Sequence, residues 1–148
     1  MMNVCKKIVD KGLTISAAES CTCGMFASKL GDYPGISASL KESFVTYSNE
    51  AKIKLLGVQT KTIEEFTEVS AECALEMANG LYSATGSDIC ISVTGYAGPT
   101  GNDIGLVYIG LRFKGNTEVK ALHIENKGRA FIRETAVNEM FSMIEKVL

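Results

Sequence analysis

Three short stretches of the chain concentrate side chains able to do chemistry: residues 19–24, 35–39 and 94–101. The first carries Glu19, Ser20, Cys21, Thr22 and Cys23, the second Ser37 and Ser39, the third Thr94 and Thr100 among glycines. Two of the three directly follow segments that read as strands. In α/β sheets ligands bind in the crevice outside the carboxyl ends of strands, and glycine there lets backbone approach a ligand closely. A hydroxyl in such a loop becomes a useful nucleophile only if a base takes its proton as it attacks. On residue type alone the same loops read equally well as tight turns. Ser37 then caps a turn or helix, and Lys52 is a solvated helix lysine. Tyr47 packs in a strand with its hydroxyl in water, and Thr94 is a strand-end residue.

Other chemistries fare less well. The five cysteines, Cys5, Cys21, Cys23, Cys73 and Cys90, are odd in number and scattered, which argues against a disulfide framework. Cys21-x-Cys23 could set an activated thiol at a helix start, but the spacing is not that of the Cys-x-x-Cys redox motif. With His123 as the one histidine, no zinc pattern emerges, and no metal or cofactor is expected.

The elements that must position these residues follow from periodicity. Asn3 caps a first helix bearing Val4, Cys5, Ile8 and Val9 on one face, stopped by Gly12. Residues 13–18 read as a short buried strand, and residues 25–30 as a helix start. Residues 43–47 read as a strand, then Ser48 or Asn49 caps a helix ended by Gly57. Ser70 caps a helix with Ala74, Ala78, Leu81 and Tyr82 at helical spacing. Residues 88–94 form a nearly continuous apolar strand, as in a sheet covered on both faces. Residues 105–113 and 117–124 form a hairpin around Lys114, Gly115 and Asn116. Residues 131–148 make a terminal helix with Phe131, Thr135, Met140 and Ile144 inward. This order predicts an α/β fold, a three-layer α/β/α sandwich with a mixed β-sheet.

The totals bound the rest. At 148 residues, one domain over 1–148 is expected. Hydrophobic residues make up 46% and charged residues 22%, a globular balance. A formal net charge of −2 gives no general electrostatic reason to bind nucleic acid or an anionic membrane. No secretory signal or bilayer-length apolar run is visible, so a cytoplasmic location is expected.

Several motifs then converge, in one order, from about residue 3 to 148. They are Ala18-Glu19-Ser20-Cys21-Thr22, Phe44-Val45-Thr46-Tyr47-Ser48-Asn49-Glu50-Ala51-Lys52, Val69-Ser70, Gly95-Tyr96-Ala97-Gly98-Pro99-Thr100-Gly101 and Gly105-Leu106-Val107-Tyr108. Together they resemble the CinA C-terminal domain family, whose members include the bacterial nicotinamide-mononucleotide deamidases of PncC type. The resemblance implies hydrolysis of the carboxamide of nicotinamide mononucleotide to the acid and ammonia, by a serine with a lysine base and without a metal. It makes Ser37 the nucleophile, Lys52 the base and Tyr47 its catalytic companion, with Thr94 and Gly95 at the substrate. Arg129 and Arg133, in a Gly-Arg-x-x-x-Arg pattern, become candidates for the substrate phosphate, since arginine holds phosphate in a two-point fork. Glu19, Ser20 and Thr22 line the pocket or cap the helix that follows. The implied partners are a small-molecule nucleotide and further copies of the chain in a homo-oligomer.

Amide chemistry explains why these types belong together. Lysine is normally charged at neutral pH and can act as a base only where burial or a cationic neighbour disfavours its charged form. The tetrahedral oxyanion needs donors, which backbone N–H groups in a small-residue loop can supply. The sequence departs from the family pattern twice. Cys23 stands where a glycine is usual, costly if that position needs positive φ, and the loop after Gly101 is several residues shorter. Those departures motivate an alternative, a non-catalytic nucleotide-binding or regulatory protein.

Overall fold

The computed structural model describes residues 1–148. In chain order it forms α1 (Met2–Asp10), β1 (Ile15–Glu19), α2 (Met25–Gly31), a single 3-10 turn (Ile36–Ala38), β2 (Leu40–Val45), α3 (Asn49–Leu56), α4 (Thr60–Phe66) and α5 (Ala71–Thr85). It continues with β3 (Ile89–Gly95), β4 (Leu106–Phe113), β5 (Asn116–His123) and α6 (Arg129–Val147). The five strands make one sheet in the order β2-β1-β3-β4-β5. The first three are parallel, and β4 and β5 add on antiparallel.

Strand periodicity splits the interior into two layers. Ile89, Ile91 and Val93 of β3 face a large cluster built with α1, α2 and α6. Cys90, Ser92 and Thr94 face the opposite side, where α5 lies. The α5 face carries small residues, Ala18, Cys90, Ser92 and Gly110, so that helix can approach the sheet closely. A Cβ on Gly110 would lie 2.5 Å from the Ala74 carbonyl oxygen. A Cβ on Gly80 would lie 1.7 Å from the Leu56 carbonyl oxygen, so the end of α3 rests directly on α5. This seats α3, and with it Lys52, over the ends of β1 and β2.

The expected sandwich and mixed sheet are therefore present, with local corrections. α4 was not anticipated, because its seven residues carry only one buried side chain, Thr62. The first helix starts at Met2 rather than after an Asn3 cap, and Asn3 instead reaches Glu145. In α6 the inward face is Ile132, Ala136, Val137, Met140, Phe141, Met143 and Ile144. Phe131 is exposed and Thr135 only half-buried, so the apolar stripe is rotated from the expected one. β2 spans Leu40–Val45, and Tyr47 lies beyond its end. No helix is long and apolar enough to cross a membrane.

Candidate active site

β1, β2 and β3 all end at the same edge, and the candidate site forms there. The backbone stitches the three ends together: Ser20 N–H donates to Val93 O at 3.1 Å, and Thr46 N–H to Glu19 O at 2.8 Å. Ser20 follows the last residue of β1 and is 8% exposed. Lys52 reaches in from α3, whose start is fixed by Ser48 accepting from Ala51 N–H and whose end is fixed by Gly57 in the left-handed region. Although a lysine, Lys52 is only 1% exposed. Its Nζ lies 3.1 Å from Ser20 Oγ and 3.0 Å from the Thr46 carbonyl oxygen.

Burial holds the Lys52 pKa below the usual lysine value, because the ammonium is taken out of water. Cys73, Glu68 and Cys21 nearby pull it partway back up. No carboxylate forms an ion pair with it. A neutral amine here can donate one N–H to Thr46 O and turn its lone pair toward the Ser20 hydroxyl. The pair is thus arranged to move a proton off Ser20. The N–H groups of Cys21 and Thr22, just after Ser20, donate to no acceptor within the chain.

Ser37 does not join this pair. It is exposed on the 3-10 turn that precedes β2. Ser39, two residues on, accepts from Ile15 N–H at the opposite end of β1. Five strand steps of ~3.3 Å separate Ile15 from Ser20, so the turn that holds Ser37 joins β1 about 17 Å from Ser20 along the sheet. The expectation that Ser37 meets Lys52 in this chain is corrected: Ser20 takes that position.

The other expected residues divide into lining and support. A cleft of about 180 Å³ opens beside the pair, lined by Ser20, Cys21, Tyr47, Lys52, Glu68, Gly95, Tyr96, Ala97, Gly98, Thr100 and Arg129. Drug-sized pockets run from roughly 300 Å³ upward, so this cleft encloses only part of a nucleotide-sized ligand. Tyr47 is 56% exposed at its rim, and its hydroxyl accepts from Arg129 Nη2 at 3.0 Å. Arg129 also donates to Gly98 O. Tyr47 therefore touches Arg129 rather than Lys52.

Glu19 and Thr22 are support, not lining. The Glu19 carboxylate is 1% exposed and accepts from Thr22 Oγ1, Gly24 N, Phe26 N and Ala27 N. It caps α2, where exposed N–H groups favour an anion. Arg133 donates from Nε to Cys21 O at 3.0 Å and from Nη2 to Thr22 O at 2.8 Å. It clamps the turn that holds Ser20 and lies outside the cleft, contrary to the expected phosphate contact. Thr94 is buried and its hydroxyl donates to Glu68 O at 2.7 Å, so it holds a neighbouring loop. Cys23, in the same turn as Ser20, has φ of 51°, the left-handed conformation that a glycine would occupy more easily.

Cys21, Tyr96, Ala97, Gly98 and Thr100 join the cleft from loops that the sequence singles out, whereas Glu68 lies outside all of them. It sits in an irregular link between α4 and α5, and no periodicity marks it. No three His, Cys, Asp or Glu side chains converge so as to hold a metal ion, and all five cysteines are free. Burial pushes the Cys21 thiol up to about 11, so it is not an activated nucleophile.

Fold and site together define a three-layer α/β protein with a buried serine–lysine pair at the carboxyl edge of its parallel strands. The chain belongs to the CinA C-terminal domain family, whose model matches residues 1–148. It is 46% identical over 98% of its length to a putative competence-damage inducible protein of Clostridium botulinum, and 48% identical over 94% to one of Clostridium kluyveri. It spans about a third of those relatives, 36% and 35% of their lengths. Among solved structures it matches the competence/damage inducible protein CihA of Agrobacterium tumefaciens with TM-score 0.94 at 35% identity, covering 97% of this chain and 90% of that one. A CinA superfamily protein of Klebsiella pneumoniae matches with TM-score 0.94 at 29% identity, covering 98% and 92%.

Proposed function

We propose that this chain is a nicotinamide-nucleotide amidohydrolase, converting nicotinamide mononucleotide to the nicotinate form and ammonia in pyridine-nucleotide recycling. The observation that carries the reading is the buried Lys52 Nζ 3.1 Å from Ser20 Oγ. The motif resemblance to the family's nicotinamide-mononucleotide deamidases suggests the substrate class, and the serine–lysine pair supplies a route. Ser20 is the nucleophile in this proposal, in place of Ser37.

Neutral Lys52 takes the Ser20 proton as Oγ attacks the amide carbon. The tetrahedral oxyanion is held by the free N–H groups of Cys21 and Thr22. Lys52 then returns the proton to the departing nitrogen, ammonia leaves, and an ester on Ser20 remains. Water enters with Lys52 again as base and releases the acid, restoring Ser20. Arg133, by holding the Cys21 carbonyl, fixes the peptide unit that carries the Thr22 N–H, and through the Thr22 carbonyl it fixes the next unit of the turn. Arg129 at the open rim offers a cation to the substrate phosphate.

The test is direct. Purified protein is incubated with nicotinamide mononucleotide from neutral to alkaline pH, and ammonia and nicotinate mononucleotide are followed. Turnover is expected. Folded protein that binds the nucleotide but never releases ammonia would replace this reading with the non-catalytic, nucleotide-binding one.

A further inference from the structure

The cleft contains a carboxylate that the hydrolytic route does not use. Glu68 lines the same cleft as Ser20 and Lys52. Its side chain forms no hydrogen bond and no ion pair, although Lys52 and Arg129 line the same space. An unpaired carboxylate beside a desolvated lysine does nothing to help that lysine lose its proton. Indeed Glu68 favours the charged lysine, so its presence calls for another role.

The backbone around Glu68 is held firmly. Thr94 Oγ1 bonds its carbonyl oxygen at 2.7 Å, tying it to the end of β3. Before it, Thr67 has φ of 71°. A β-branched residue rarely adopts that conformation, and such strain persists only where surrounding bonds impose it. Here Ser70 Oγ donates to Thr67 O at 2.9 Å, and Val69 N–H donates to Thr67 Oγ1 at 3.3 Å. Glu68 is thus fixed at the cleft by bonds on both sides.

Two aromatic rings, Tyr47 and Tyr96, line the cleft as well. Ring faces attract cations, and a carboxylate attracts them more strongly over short range. The one competing cation at the rim, Arg129, is engaged by Gly98 O and Tyr47. We infer that Glu68, with Tyr47 and Tyr96, selects a positively charged aromatic ring, so that the cleft takes N-alkylated pyridinium carboxamides in preference to neutral ones. This rests on the amidohydrolase reading for the carboxamide, but the preference for a cationic ring does not. It makes Glu68 a specificity-determining residue: it meets the ring charge while Ser20 meets the amide.

The experiment measures affinity of the full chain for two small probes, 1-methylnicotinamide, a cation, and nicotinamide, its neutral counterpart, by calorimetry. The wild type is expected to bind the cation at least tenfold more tightly. Glu68→Gln is expected to lose most of that preference while binding nicotinamide unchanged, and Glu68→Asp to keep most of it. Thermal melts establish that each variant is folded. Equal preference in wild type and Glu68→Gln would overturn the inference, as would equal weakening of both probes. Hydrolysis of nicotinamide mononucleotide by the wild type is scored separately. Turnover with no dependence of cation preference on Glu68 sinks this inference and leaves the amidohydrolase standing. A Glu68-dependent preference without turnover does the reverse.

Discussion

Ser20 and Ser37 start from similar local settings. Each sits in a short turn beside residues of positive φ, Cys23 and Gly24 in one case and Gly35 in the other. Each adjoins a strand of the parallel half of the sheet, Ser20 after β1 and Ser37 before β2. What differs is the end of the sheet. Ser20 lies at the carboxyl edge, where α3 brings a buried lysine and the β3 loop brings a cleft wall. Ser37 lies at the amino edge, exposed, and its hydroxyl bonds no lysine. The pairing of a hydroxyl with a base is a property of the edge, not of the turn.

The largest expected effect separates the two serines. Under the proposed function, Ser20→Ala is expected to lower kcat by roughly 10³-fold or more, the scale seen when a nucleophile is removed from a serine hydrolase. Ser37→Ala should change kcat less than twofold. Steady-state ammonia release measures both, and the opposite ranking would break the comparison.

Lys52→Met comes next. Turnover should fall by a similar factor, since no other base touches Ser20. The melting temperature should hold or rise at neutral pH, because a desolvated ammonium is replaced by an apolar chain of similar length. The sign with pH follows from the lowered folded-state pKa. Between that value and the unfolded one of 10.5, the unfolded chain binds the extra proton, so wild-type stability rises with pH there. Chemical denaturation against pH should show that rise in the wild type and lose it in Lys52→Met. The wild-type rate should likewise climb with pH on a limb centred below 10.5. A rate that falls across this range would exclude Lys52 as base.

The two arginines sharpen the distinction between holding the turn and meeting substrate. Arg133→Lys keeps the charge but loses the two-point clamp on Cys21 and Thr22. It should lower kcat about tenfold with KM little changed, an effect of misplaced donors. Arg129→Ala should instead raise KM for the nucleotide about tenfold while leaving kcat nearly intact. Initial-rate kinetics on both variants check the split.

The smallest effect concerns the turn's backbone. Cys23→Gly removes a Cβ from a left-handed position and should stabilise the fold by about 0.5–1 kcal/mol, net of glycine's greater unfolded-state freedom. That is a rise of roughly 1.5–3 °C in Tm, read by a thermal melt. A fall would show that the Cys23 side chain contributes more than its strain removes.

Much of this was legible in the sequence because it is local. The Ser48 and Ser70 caps, the Gly57 stop, the apolar run of β3 and the Lys114–Gly115 hairpin each follow from a few adjacent residues. The resemblance carried by its neighbours also singled out Lys52 as a candidate base, and the structure buries that lysine against Ser20. The parts that stayed open or were misread depend on distant partners. Glu19 was open between pocket wall and helix cap, and it is the cap, its carboxylate accepting from Thr22, Gly24, Phe26 and Ala27. Arg133 resembled a phosphate ligand until two carbonyls of the Ser20 turn took its guanidinium. Glu68 left no trace, since its place rests on a bond from Thr94, beyond the whole of α5. Sequence alone determined the family and every strand and α-helix except α4, though not all their bounds, because capping, periodicity and motif matching act within short windows. Only tertiary structure decided which hydroxyl the lysine meets, because parallel strands carry residues near in sequence to opposite ends of the sheet.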